Sequence, residues 1–318
     1  MASESAITKA FRNGVNLIAD DANVGALRDA IRRGDYAAAL TAVDIEDAAF
    51  DELRGLLVQT YAEGAVSEIT GMAYRDRPRW NSASPRAEDY ARNVIGGHIT
   101  RITEDSRAAV RATMGDGIAF GRSTDRIARD IIGRREGAHR VGGVVGLNEQ
   151  QAAWVANMRR KLQDDPMAAL NNGRRDRRFD GIIRKAADGK PLTADQIDRI
   201  TRAYSDRLLM SRGRTIARTE RGAAINAGRQ EAWMQAADKG GLDYGAIWKE
   251  WRHSSRQMEP RLSHIAANGT RVQGLLATFN IGGYSCLHPH DPALPASEVV
   301  NCGCQCRMGI NRNWRNGA

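Results

Sequence analysis

Three cysteines stand two apart near the end of the chain, Cys302-Gly303-Cys304-Gln305-Cys306, and the only other one is Cys286, so all four fall within the last 33 of 318 residues. Thiols clustered in this way, with His264, His288 and His290 in the same region, have the chemistry to bind zinc, which takes about four sulfur or nitrogen ligands at roughly 2.0 to 2.3 Å. The spacing is C-x-C-x-C rather than the paired C-x-x-C of most zinc sites. In an extended strand the three thiols would share one face at intervals of about 6.8 Å, so two of them can chelate one ion only if the backbone bends. Gly303 permits that bend. Zinc therefore stands as a candidate ligand of Cys286, Cys302, Cys304, Cys306 and His264, against the alternative that the thiols pack as small buried hydrophobes.

Other chemistries fit these residues less well. A Cys302–Cys304 disulfide would lie at the upper limit of allowed Cα separation, whereas Cys286 with any of the three would close an ordinary loop. The N-terminus MASESAITKAFRNGV has no continuous apolar stretch of the secretory kind, so a cytoplasmic, reducing setting is expected, and with it free thiols or ligands. A nucleophilic cysteine needs a histidine in an electropositive pocket; Arg261, Arg307 and His264 have the right types, but nothing in the sequence brings them together. His288-Pro289-His290-Asp291 matches a metal-hydrolase site only in part, with proline between the histidines and no second acidic motif. No histidine is followed two residues on by Glu, which removes the zinc-deaminase signature. The glycines of 133–146 lack the G-K-[ST] ending of a phosphate loop.

The elements that must position these residues are mostly helical. Alanine and arginine are abundant and aromatics make up only 6% of the chain, a balance that favours helix. Apolar residues recur three and four apart from Ala6 to about Gly71, as at Phe50, Leu53, Leu56, Leu57 and Tyr61. Residues 75–86, RDRPRWNSASPR, read as an exposed loop. A long helix is expected from about Ala87 to Met114, another capped by Ser123, and a glycine-rich connection without period over 133–146. Asn148 with Gln151, and Thr193 with Gln196, have the form of capping boxes. From Thr193 to about Asp238 there is no proline, and one helix of about 70 Å is expected, with Gly213 and Gly222 as breaks or close-packing points. Beyond Gly240 the texture changes: AIWKEWRH reads as a strand, Pro260 starts a short helix over RLSHIAA, and Asn268-Gly269 and Asp291-Pro292 mark turns. The expected fold is mainly α, an elongated helical N-terminal region (1–192) and a long helical segment (193–240) leading into a small α+β C-terminal unit (241–318).

The net charge of +9 is local. Residues 171–190 hold seven basic and three acidic side chains, and residues 199–229 hold eight arginines and two acids, so the remainder is close to neutral. Arg174, Arg175, Arg177 and Arg178 are candidates for salt-dependent, sequence-independent phosphate contacts with double-stranded DNA, and the bland alternative is a solvated helix face. No window approaches the roughly 20 apolar residues needed to span a bilayer, so no membrane partner is expected.

Several short motifs over about residues 200–308 resemble, in order and spacing, the phage Mu F-like minor head proteins, also called phage head morphogenesis proteins. Arg214-Thr215-Ile216-Ala217-Arg218-Thr219-Glu220 is similar to that family's T-I-A-R-T-E segment, followed by Asn226, Gly228 and Ala232. Then come a strand bearing Trp251, Arg252 and His253, the stretch Glu259-Pro260-Arg261-x-x-His264 with Asn268-Gly269, and Pro289-x-Asp291-Pro292. Pro295 to Cys304, with Glu298, Asn301 and Cys302, resembles the N-C-R-C ending, with Gly303 where the family carries Arg and His290 where it carries Gly. The resemblance implies a minor virion protein incorporated with the portal during head assembly, acting on portal or capsid and on packaged DNA, in the host cytoplasm and then the virion head, with no enzymatic activity. On physical grounds Arg214, Arg218 and Arg221 either face an acidic partner or, for Arg218, pair with a carboxylate of the C-terminal unit. Arg261, His264 and Asp291 are candidates for one buried polar network. The alternative readings are a metal-dependent hydrolase or nuclease housed in the C-terminal unit, and a DNA-binding module unrelated to virions.

Overall fold

The computed structural model describes residues 1–239, 242–254 and 260–314. Its helices begin where side chains satisfy the free N–H groups of a first turn. After α1 (Glu4–Asp21), Asn23 caps α2 (Val24–Arg33), whose end is turned by Gly34 at φ 69°, and Asp35 caps α3 (Tyr36–Val43). α4 (Asp51–Gly71) follows, then Ser84, with Pro85 in the first turn, opens α5 (Pro85–Asp89). A π-helical turn over Tyr90–Ile95 carries that helix on into α6 (Gly96–Ala119), so the long helix expected here extends at both ends of its anticipated span. Ser123 caps α7 (Thr124–Ile132). Asn148 and Gln151 form the reciprocal capping box of α8 (Glu149–Asp164), which is followed by α9 (Pro166–Leu170) and α10 (Asp180–Ala187).

The longest element is α11 (Ala194–Asp238), 45 residues, opened by the Thr193–Gln196 pair, in which each backbone N–H donates to the other's side-chain oxygen at 2.9 and 3.3 Å. Gly213 and Gly222 do not break it. Gly222 is a close-packing point, because a Cβ there would lie 2.6 Å from the His290 ring.

The glycine-rich 133–146 stretch, expected as a connection without period, contains regular structure. It forms a hairpin of β1 (Arg134–Glu136) and β2 (His139–Val141), with Gly137 at φ 66° in the turn. Its strands are charged and mostly exposed, so they lack the apolar alternation by which strands are read.

The C-terminal elements are β3 (Ile247–Arg252), α12 (Leu262–Ala266), β4 (Arg271–Gln273), β5 (Phe279–Ile281), β6 (Tyr284–Cys286), α13 (Ala296–Val299) and β7 (Gln305–Ile310). β3 is central in an antiparallel sheet of order β4-β3-β7, with Trp251 opposite Cys306, and β5 pairs with β6. The fold is thus mainly α with a small α+β C-terminal part.

The chain divides into two compact units that do not follow sequence order. One contains Met1–Thr8, Leu53–Gly97 and Arg214–Ala318; the other contains Lys9–Glu52 and His98–Gly213. The boundary falls inside α11, between Gly213 and Arg214, rather than at 192/193 or 240/241. In the second unit Phe11 stacks on Phe50 at 6.0 Å, and Arg159, nearly buried, bonds both Asp130 and Asp198. In the first, α4 and α11 cross through small residues: Gly228 packs on the Tyr61 carbonyl and Gly64 on Ile225.

The 75–86 loop is exposed at most positions yet anchored to α11. Gln235 exchanges hydrogen bonds with the Asn81 backbone at 2.9 Å, and buried Glu231 receives Ser84 Oγ at 2.9 Å and Arg86 Nε at 2.7 Å. Trp80 packs against the core formed by Ala232, Trp233, Trp251, Leu275, Phe279, Cys302 and Cys304.

Candidate metal centre

The site is assembled by four segments of the first unit. β3 supplies Trp251, fully buried, whose ring meets the edges of His264 at 5.3 Å and Phe279 at 5.5 Å. The Asn268-Gly269 turn returns the chain to β3, where the Gly269 N–H donates to the Trp251 carbonyl at 2.8 Å; Gly269 at φ 81° adopts a conformation costly for other residues. Pro260 precedes Arg261, the first residue before α12, and the third residue of that short helix is His264. Glu259, which the resemblance adds to this stretch, lies outside the described residues.

The second half is a bend rather than a strand. Asn301 sits at φ 57°, Cys302 N–H donates to the Val299 carbonyl, and Cys304 N–H donates to Cys302 Sγ at 3.3 Å, so the chain folds back over Gly303 before β7 begins. This is the bend that a two-apart cysteine pair needs. It brings Cys302 Sγ to 3.5 Å and Cys304 Sγ to 3.4 Å from His264 Nδ1, and the three ligand atoms all lie within 4.8 Å of one another. The opposite ring nitrogen, Nε2, is 2.9 Å from Glu298 Oε2, which also accepts from Ser263 Oγ at 3.2 Å. His253 Nδ1 lies 3.7 Å from Cys304 Sγ.

α11 closes the other side. Asn226, buried, donates from Nδ2 to the Cys304 carbonyl at 3.3 Å and accepts from Cys306 N–H at 3.0 Å, so its amide pairs with this stretch as a neighbouring strand would. Thr219 Oγ1 accepts from the Asn301 N–H at 3.0 Å, and His290 Nε2 bonds the Cys302 carbonyl at 2.9 Å.

The two thiols are electrostatically unequal. Cys302 is pushed towards its thiolate, chiefly by the hydrogen bond from Cys304 and then by His264 and His290. Cys304 is held protonated by that same bond to Cys302 and by burial.

Of the five residues expected as metal ligands, the structure brings together His264, Cys302 and Cys304. Cys286 and Cys306 do not join them. They lie instead beside the buried ammonium of Lys249, and burial pushes both thiols up to about 12. All four cysteines are free, so no disulfide forms.

The expected network of Arg261, His264 and Asp291 is in fact two separate locks. Arg261 donates to the carbonyls of Ser297 and Val300 and His264 meets Glu298, so both hold α13, a cation at a helix C-terminus being favourable. Asp291 instead accepts from the N–H groups of Leu287 at 2.6 Å and Ala293 at 2.9 Å. His288, buried, bonds its neighbour Pro289's carbonyl at 2.9 Å.

Arg218 pairs with Glu4 in α1 at 3.6 Å rather than with a carboxylate of the C-terminal unit, and Arg221 donates to the Ala2 carbonyl. Arg214 is exposed, and Glu220 lies where its charge, after burial, disfavours the Tyr90 phenolate.

The four arginines singled out for phosphate contacts are partly committed within their own unit. Arg175 makes a two-pronged pair with Asp180, both bonds 2.8 Å. Arg178 bonds Asp176 through Nε and Nη2. Arg174 lies over the Trp154 ring at 4.8 Å, and Arg177 bears electrostatically on Asp180.

Sequence reasoning missed Lys249 altogether. It is fully buried, donates to the Leu287 carbonyl at 2.8 Å, lies over Phe279 at 5.7 Å, and has its ammonium pushed down to about 8 by burial. The period of two places Lys249 on the face of Ile247 and Trp251, but a lysine in an alternating strand reads as a solvent-facing residue.

A thiolate beside a histidine that is itself held by a carboxylate has the connectivity of a cysteine nucleophile. Burial argues against that use: His264 is 0% exposed and Cys302 and Cys304 are each 1% exposed. The same donors, apolar-walled and mutually close, suit a cation that needs no substrate access.

No protein-family model matches the chain, and no solved structure matches it. Over 96 residues it is 40% identical to a Bacillus subtilis (strain 168) protein described as uncharacterized protein YqbB. The match covers 29% of this chain and 29% of that protein, so the chain spans under a third of the relative's length. Among the described residues, no helix is long and apolar enough to cross a membrane.

Proposed function

We propose that this chain is a minor structural and assembly protein of a tailed-phage head, binding portal or capsid protein and supporting head formation and DNA packaging or delivery. One observation carries the reading: the ordered motif series from Arg214-Thr215-Ile216 to Asn301-Cys302, at spacings that resemble the Mu F-like minor head proteins. The roles of those residues support it. Thr219, Asn226, Gly269, Arg261, His264, Asn301 and Cys302 act as internal joints of one unit, which is what a motif set for a binding scaffold requires. The protein would enter the head from the host cytoplasm, with its exposed arginines close to packaged DNA.

The test is co-expression of the full chain with the portal and capsid proteins of the same genome, followed by purification of heads and portal complexes. Mass spectrometry of the particles is expected to find the chain in low, fixed copy number. Its absence from both would remove the reading. A metal-dependent hydrolase or nuclease is the second reading, favoured by the His264–Cys302–Cys304 group alone, and burial of all three donors weighs against it.

A further inference from the structure

We propose that His264, Cys302 and Cys304 hold one zinc-class divalent cation, with His253 as the fourth ligand, and that this ion staples the C-terminal unit rather than serving a reaction.

Ligands at about 2.3 Å (sulfur) and about 2.05 Å (nitrogen) from a tetrahedral centre stand roughly 3.6 Å apart. The two Nδ1–sulfur separations to His264 are 3.5 and 3.4 Å, and His253 Nδ1 is 3.7 Å from Cys304 Sγ. His264, Cys302 and Cys304 thus already stand at the spacing that one shared ion imposes, and His253 borders that group through Cys304.

With Nε2 of His264 turned to Glu298 at 2.9 Å, Nδ1 has a single remaining position for a proton or a lone pair. Two buried sulfurs face that one position at nearly equal distance. A hydrogen bond serves one of them; a cation serves both. The Glu298–His264 pair is also the arrangement that fixes tautomer and ring orientation in histidines that ligate metal. The Cys304 N–H to Cys302 Sγ bond at 3.3 Å supports the negative sulfur that a soft cation needs.

The donors come from β3's exit, from α12 and from the bend before β7, so one ion would tie three separate stretches of the C-terminal unit together. His253 is the half-buried member, where an ion would enter and the shell would close. Two sulfurs and two imidazoles in tetrahedral array select zinc over the harder divalent cations. Four protein ligands leave no open position, which marks a structural site.

This inference is independent of the head-assembly reading, since a scaffold of any function can carry a staple. The experiment uses the full chain, purified without chelator. Elemental analysis is expected to give one zinc per chain. Cobalt(II) substitution should produce the visible absorption of a tetrahedral thiolate site. Cys286→Ser and Cys306→Ser should keep full occupancy; Cys302→Ser should lose it, and His253→Ala should weaken it at least tenfold. If Cys302→Ser does not fold, the wild-type melting temperature decides: it should fall with a strong chelator and recover on adding zinc. Zinc below about a tenth of an equivalent with no response to chelator or added zinc would overturn the site, and unchanged affinity in His253→Ala would remove His253 from the shell.

Discussion

Gly228→Ala isolates the helix crossing on which the first unit depends. A Cβ at this position falls 2.1 Å from the Tyr61 carbonyl oxygen and 3.1 Å from the Ala65 nitrogen, both backbone atoms of α4. No side-chain rotation can relieve that approach. To reach the 3.4 Å at which ordinary contact begins, α4 and α11 must separate by about 1.3 Å, loosening the packing of Tyr61, Ala224 and Ala227. Overpacking of this kind costs about 1–3 kcal/mol, and an immovable backbone places it at the upper end. Alanine in a helix interior regains about 1 kcal/mol over glycine, so the net loss is about 2 kcal/mol. Gly55 is the internal control, since it lies exposed in α4 with no atom within 4 Å of its added Cβ. Gly55→Ala should stabilise by about 0.5–1 kcal/mol. Urea unfolding of the full chain, followed by tryptophan fluorescence, should show the midpoint of Gly228→Ala lowered by roughly 1 M and that of Gly55→Ala raised. If both variants shift in the same direction, the close-crossing argument is wrong.

Four further outcomes follow from other residues. Lys249 has its ammonium pushed down to about 8 against 10.5; between these values the unfolded chain keeps a proton that the native state has lost, so stability rises with pH. Relative to Lys249→Met, the wild type should gain about 1 kcal/mol from pH 8 to 9 in denaturation series; above that, thiols held up near 12 act with the opposite sign. Arg159→Met strips a partner from Asp130 and Asp198 and should cost about 3 kcal/mol in urea, partly recovered by adding Asp130→Asn. Asp291→Ala frees the N–H groups of Leu287 and Ala293, with a loss of about 2 kcal/mol and faster hydrogen exchange at those two amides first. In salt titrations of duplex DNA binding, Arg178→Ala should reduce the log–log slope by less than the ~0.9 of a free phosphate contact, because Asp176 already holds Arg178; Asp176→Asn should steepen it.

What was legible in the sequence was local. The Asn148–Gln151 and Thr193–Gln196 boxes, the Ser123 cap, the strand at Ile247–Arg252 and the Asn268-Gly269 turn each lie within a few residues, where propensity and capping act without tertiary help. Partner choice was not legible. The C-x-C-x-C spacing treats its three thiols alike, yet the bend at Asn301–Gly303 sends Cys302 and Cys304 to His264, while β7 sends Cys306 towards Lys249. The arginine run at 174–178 reads as free charge because its acids are interspersed in the same stretch, and only the turn at Asp176 and the start of α10 bring them into pairs. The 133–146 hairpin was hidden because its strands carry charges and follow no apolar period.

The partition of the chain bears on how any function is to be mapped. Residues 241–318 look like an appended tail, but the wall they fold against is α11 together with the segment from Leu53 to Gly97. Asn226 completes the backbone pairing at Cys304 and Cys306, Gln230 donates to the Leu275 carbonyl at 2.9 Å, and Glu231 and Gln235 are bonded to Asn81, Ser84 and Arg86. A truncation at residue 240 would leave Asn226 and Gln230 without these partners, at a cost of about 1–3 kcal/mol for each that stays buried, and would uncover the apolar face of α11. Loss of portal or DNA binding after such a deletion would therefore report unfolding of the first unit as readily as loss of a contact surface. Substitutions at exposed positions such as Arg214 and Leu262, which no internal joint uses, separate the two: they leave the crossing at Gly228 and the His264 group intact, so a change in partner binding there belongs to the surface itself.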